Sequence, residues 1–197
     1  MVDLQHFLLT ASYVGVAGML FVETGLLVGF FLPGDSLLVT AGVLAAHGTL
    51  SLPLVMVAGV VGAVAGDSAG YFVGEKTGPR LFRRPKSRFF DPENVRRAQA
   101  YFDRYGAKTL LLARFIPVVR TFAPLLAGVA RMPYGRFLGY NALGGLLWGA
   151  GVPALSYVLG SLIPNLDQYL LLVIGLVVVV SVVPVGLELL RARRRAP

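Results

Sequence analysis

Four charged side chains lie inside otherwise apolar sequence, and their placement limits this chain to few architectures. Glu23 and Asp35 fall in one hydrophobic stretch, Phe21 to Ala46, and Arg114 and Arg120 in a second, Leu110 to Ala130. Each pair brackets a related tripeptide, Phe31-Leu32-Pro33 in the first and Phe115-Ile116-Pro117 in the second. A charge at the centre of a bilayer costs about 2.5–3.5 kcal/mol even on insertion scales. Proline breaks a helix and exposes backbone groups that lipid cannot satisfy. Such a pattern is sustainable where protein lines a polar cavity at membrane depth, which points to transport or chemistry inside the membrane.

The rest of the chain agrees. A mean hydropathy of +0.72 over 197 residues excludes an ordinary soluble domain. Tyr169 to Leu187 is 19 residues without a charge, long enough to cross the hydrocarbon layer, and Thr49 to Gly74 and Phe137 to Ile163 are further long spans. The expected fold class is an all-α polytopic membrane protein forming one transmembrane domain over residues 1–197. Cysteine is absent and only His6 and His47 are present, which excludes disulfides and haem attachment and leaves too few ligands for a usual zinc site. No metal or cofactor is expected. The N-terminus has neither a basic leader nor an Ala-x-Ala cleavage site, so no cleaved signal peptide is predicted.

Charge sets the topology. All 18 lysines and arginines follow position 75; ten lie between Lys76 and Lys108, and four form the tail Arg191, Arg193, Arg194 and Arg195. Basic residues of short loops mark the cytoplasmic side, and attraction to anionic headgroups accounts for these runs more simply than nucleic-acid binding. Thr49 to Gly74 therefore enters from outside. Arg131 and Arg136 belong inside, so the stretch 109–130 begins and ends on the same face and is expected to be a re-entrant hairpin. Phe137 to Ile163 then goes out, and a helix over 167–190 returns to the cytoplasmic tail 191–197. Between the halves, segment 80–108 carries a basic amphipathic helix starting at Asp91-Pro92-Glu93, expected to lie on the inner surface.

A shift of 86 residues superposes Ala41-Gly42-Val43 on Ala127-Gly128-Val129, Gly59 on Gly145, Tyr71 on Tyr157 and Gly74 on Gly160. The two Phe-x-Pro tripeptides match at a shift of 84. This is read as a duplication: a first repeat over 1–79 with its hairpin at about 21–46, and a second over 109–163. One crossing separates them, so the repeats are inverted, a plan that recurs in transporters. Parity lets residues 1–20 either span or lie on the outer surface. Gly62, Gly66, Gly70 and Gly74 recur every four residues and are expected to let another helix approach closely.

The chemistry of the four charges follows from their types. Arginine stays charged and presents a planar fork suited to phosphate or carboxylate, so Arg114 and Arg120 are candidate phosphate ligands. Glu23 and Asp35 are titratable, and burial and a neighbouring guanidinium push a carboxyl group in opposite directions, which suits uptake and release of protons. The four charges sum to zero, so the acids can neutralise the arginines when no anion is bound. Asp67 reads equally as a relay residue or a helix-to-helix tie. Asn141 and Trp148 read as packing residues.

The motifs resemble the DedA family of membrane proteins. Glu23 with Phe31-Leu32-Pro33-Gly34-Asp35 is similar to its first hairpin. Gly66-Asp67, Tyr71, Gly74 and Gly78 fit the same family. Arg114-Phe115-Ile116-Pro117-Val118-Val119-Arg120, with Ala127-Gly128, Met132, Phe137, Asn141 and Trp148, is similar to its second half. The resemblance covers roughly residues 15 to 165. It implies a bacterial plasma-membrane protein that translocates a lipid phosphate such as undecaprenyl phosphate, or scrambles phospholipids, with coupling to the proton gradient. Its acidic pair falls on Glu23 and Asp35 and its arginine pair on Arg114 and Arg120. Membrane lipids and protons are thus the expected partners, with homo-oligomerisation left open. A carrier of small ions or drugs, an intramembrane lipid phosphatase and an assembly factor are the competing readings. A phosphatase would need a nucleophile beside a base, and neither histidine is near the arginines in sequence.

Overall fold

A computed structural model of the chain describes residues 2–25, 34–81, 100, 104–114 and 117–162. Both tripeptides (apart from Pro117), most of the expected amphipathic helix, the C-terminal helix over 167–190 and the basic tail lie outside the described residues. Among the described residues seven helices follow in order: α1 (Val2–Gly25), α2 (Gly34–Ala46), α3 (Leu52–Leu81), α4 (Lys108–Ala113), α5 (Pro117–Val129), α6 (Tyr134–Gly149) and α7 (Gly151–Leu162). No strand occurs among the described residues. Phe21, expected to open a hairpin, instead continues α1, which runs unbroken from Val2 to Gly25.

Among the described residues, two segments are long and apolar enough to cross a membrane, Leu52–Gly78 on α3 and Tyr134–Leu162 across α6 and α7. At 1.5 Å per residue each rises about 40 Å, more than the ~30 Å of hydrocarbon. α2 and α5, at 13 residues each, rise only about 20 Å and fall short of spanning. The second long span is interrupted at Ala150, where Pro153 soon after removes a backbone donor from the next turn.

Large apolar side chains point outward on these helices. Leu54, Val57 and Val61 on α3, Leu146 and Leu147 on α6, and Leu155 and Leu159 on α7 are all exposed, as a lipid-facing surface requires. Glycines take the inside. Gly62 lies against Ala17 and Gly66 against Phe21 of α1; from Gly70 onward the stripe changes partner, so that Gly74 lies against Leu125 and Gly78 against Val129 of α5. The expected small-residue stripe thus serves two helices in succession. Without side chains, the backbones approach closely enough for dispersion and weak hydrogen bonds to hold them in the absence of a hydrophobic force. Gly59 and Gly149 face each other where α3 crosses the end of α6.

α2 packs on α7, with Gly42 against Pro153 and Ser156 and with Gly160 against Val43 and Ala46. α5 packs on α3, with Gly128 against Tyr71 and Glu75. Both short helices also stop in the same way. Thr49 N–H donates to Leu44 O at 3.1 Å with Gly48 at φ 75°, and Met132 N–H donates to Ala127 O at 3.0 Å with Arg131 at φ 54°. These are Schellman caps, and they reverse the chain sharply into the following long span.

Candidate functional site: a buried charge cluster

Five helices contribute to one polar cluster in the apolar interior. Glu23 sits at the last turn of α1, Asp35 in the first turn of α2, Asp67 midway along α3, Arg114 at the C-terminal cap of α4, and Arg120 in the first turn of α5. The two arginines lie on separate helices, since α4 ends at Ala113 and α5 begins at Pro117. On an unbroken helix, a six-residue spacing would have put them on opposite sides.

Arg120 bridges to the first half of the chain. Its Nη1 donates to Asp35 Oδ1 at 2.8 Å and its Nη2 donates to Glu23 Oε1. The guanidinium carbon lies 4.9 Å from the centre of the Trp148 ring, in range of a cation–π contact. The two acids differ in exposure: the Glu23 side chain is 5% exposed and that of Asp35 is 45% exposed. Glu23 is held against Gly34, where any side chain would occupy the space of its carboxylate.

Arg114 has other partners. Its Nη2 donates to Asp67 Oδ2 and, at 2.6 Å, to Asn141 Oδ1. Asn141 Nδ2 in turn donates to Val64 O at 3.0 Å, so α6 orients the amide against α3. Both members of the Arg114–Asp67 pair are buried. Among the described residues, Arg114 Nη1 and Glu23 Oε2 are buried without a hydrogen-bond partner. Between the two arginines lies a cavity of about 20 Å³, room for one water, lined by Thr24, Asp67, Asn141 and Trp148 as well as both guanidinium groups. A larger hollow of about 800 Å³ between α1 and α3 is mainly apolar and contains no charged side chain among its lining residues.

The expected site residues thus meet, with a different pairing. Glu23 and Asp35 both engage Arg120, whereas Arg114 is neutralised by Asp67. Asn141 and Trp148, read as packing residues from the sequence, touch the arginines directly. Their signals were present: an amide in an apolar span seeks a polar partner, and the single tryptophan lies well within a span instead of at its interfacial ends. No group of three metal-ligating side chains occurs among the described residues.

Comparison with known proteins places this arrangement. A family model described as the VTT domain matches residues 32–155, a range that holds Asp35, Asp67, Arg114 and Arg120. Protein DedA of Escherichia coli (strain K12) is 40% identical over 180 residues, covering 90% of this chain and 82% of that protein. The chain belongs to the DedA family. Other relatives include an uncharacterized membrane protein of Mycobacterium tuberculosis (strain ATCC 25618 / H37Rv), 43% identical over 193 residues and covering 95% of this chain and 84% of the relative. Another, from Mycobacterium leprae (strain TN), is 42% identical over 180 residues, covering 91% and 80%. No solved structure matches the chain. Together with the two apolar spans, these relatives identify an all-helical membrane protein of the DedA family.

Proposed function

We propose that this protein is a plasma-membrane transporter, and not an enzyme, that carries a lipid phosphate such as undecaprenyl phosphate across the bilayer in exchange with protons. The observation that carries this reading is the engagement of Arg120 by both Glu23 and Asp35 across the two halves of the chain, among membrane-spanning helices. A guanidinium fork already holding two carboxylate oxygens presents the geometry that a phosphate monoester needs. The buried Arg114 Nη1 adds a donor without an acceptor among the described residues. Protonation of an acid on the fork frees a position for the anion, and release of the anion returns that position to the acid; the hydrocarbon chain stays in the surrounding bilayer.

The alternating-access frame is part of the same reading. α2 and α5 are the inner arms of two re-entrant hairpins, entering from opposite faces in inverted repeats. Three features support this: both helices are too short to span, both end in the same cap, and each packs on the long span of the other half. The basic segment 80–108 and the C-terminus lie in the cytoplasm.

The test is flux of fluorescent undecaprenyl phosphate in proteoliposomes, with and without a proton gradient, and with fluorescent phospholipids in parallel. Arg120→Lys keeps the charge but loses the fork, and is expected to lower undecaprenyl phosphate flux at least about tenfold, the worth of one charge-assisted hydrogen bond. Undiminished flux in that variant refutes the phosphate role. Equal flux of phospholipids, indifferent to the gradient, identifies a scramblase instead.

A further inference from the structure

Glu23 and Asp35 hold the same guanidinium, yet the structure makes them unequal. Glu23 is buried at the end of α1, with its carboxylate wedged against Gly34 of α2. Asp35 sits in the first turn of α2 with nearly half its side chain exposed, and touches Arg120 through one oxygen at 2.8 Å. The charges divide in the same way. Glu23 and Asp67 balance Arg114 and Arg120, the first three buried and Arg120 nearly so; Asp35 is the surplus negative charge, at the accessible rim.

We infer that Asp35 is a built-in stand-in for the transported anion: its carboxylate occupies on Arg120 Nη1 the position that a phosphate oxygen takes, and leaves when the phosphate arrives. Glu23 is the permanent counter-ion of Arg120. The exchange replaces one anionic oxygen by another, so the inner quartet stays neutral and no charge is stranded in the interior, where an unpaired ion is costly. Trp148 keeps the guanidinium in place during the exchange, because its contact with the ring face at 4.9 Å does not use the edge donors. Asp35 thereby prevents the site from holding phosphate too tightly: it competes for the fork and helps expel the bound headgroup.

This inference rests on the phosphate reading, and one experiment separates the two. Binding of farnesyl phosphate to the purified full-length protein in detergent is measured by calorimetry, and flux is measured in proteoliposomes, for wild type, Asp35→Asn, Asp35→Glu, Glu23→Gln and Arg120→Gln. Asp35→Asn is expected to bind roughly fivefold tighter, the worth of a half-exposed ion pair, while its flux falls. Asp35→Glu, which keeps the competing charge, stays near wild-type affinity, and Glu23→Gln gives no tightening. A split between tighter binding and slower flux does not arise from a purely structural role. Unchanged or weaker binding by Asp35→Asn, or equal tightening by Glu23→Gln, overturns the inference and leaves the phosphate reading standing so long as Arg120→Gln weakens binding. Binding indifferent to Arg120→Gln overturns both.

Discussion

Removing the charge of Asp67 while keeping its shape is the sharpest perturbation the structure offers. Its carboxylate and the Arg114 guanidinium are 10% and 5% exposed, so bulk solvent does not take over from a lost partner. Asp67→Asn leaves a buried cation with only the Asn141 carbonyl at 2.6 Å and a second neutral amide. Breaking one side of a buried pair costs about 3–5 kcal/mol. For a chain of this length that lowers the midpoint of thermal unfolding by about 6–20 °C. Removing both charges with apolar side chains, Asp67→Leu with Arg114→Met, takes away the stranded ion and recovers most of the loss. About 1 kcal/mol remains for the donor that Asn141 no longer meets. The assay is a double-mutant cycle on unfolding in detergent micelles, followed by intrinsic fluorescence. Singles that unfold within about 1 kcal/mol of wild type, or a double mutant whose loss equals the sum of the two singles, refute the pairing.

Two glycine substitutions separate steric from conformational cost. Gly128→Ala puts a methyl group into the backbone of Tyr71 and Glu75, which cannot yield, so α5 must lift from α3 at a cost of about 1–3 kcal/mol, read from the same unfolding midpoint. Gly48→Ala meets no atom within 4 Å but must adopt φ near 75°, and is expected to cost about 1–2 kcal/mol from backbone strain alone, with flux left at the wild-type value.

Apolar length, the Phe-x-Pro breaks and the four stray charges were enough to anticipate helices, two long spans and a polar site joining distant parts of the chain. Glycine periodicity on α3 foretold a close approach without revealing that two helices share it, because a stripe carries no label for its partner. Pairing within the site was beyond the sequence for a related reason. Four charges that sum to zero suggest a closed set, and only the fold brings Asp67 against Arg114 and leaves Asp35 at the rim. Asn141 and Trp148 escaped because an amide or an indole in an apolar helix reads as packing until a guanidinium is placed beside it. Charge parity left residues 1–20 either spanning or on the outer surface; the contacts of Ala17 and Gly25 with α3 show a helix packed along α3.

The reciprocal docking of short and long helices has a consequence for biosynthesis. α2 is complete at Ala46, but the surface it leans on, α7, ends at Leu162, 116 residues later. At 5–20 residues per second the ribosome needs about 6–23 s to deliver it. Through that interval the short helix α2, carrying Asp35, has no Arg120 to neutralise it and lacks its main packing partner. A chain truncated after the first half should therefore be a ready substrate for membrane quality control, however well its own spans insert.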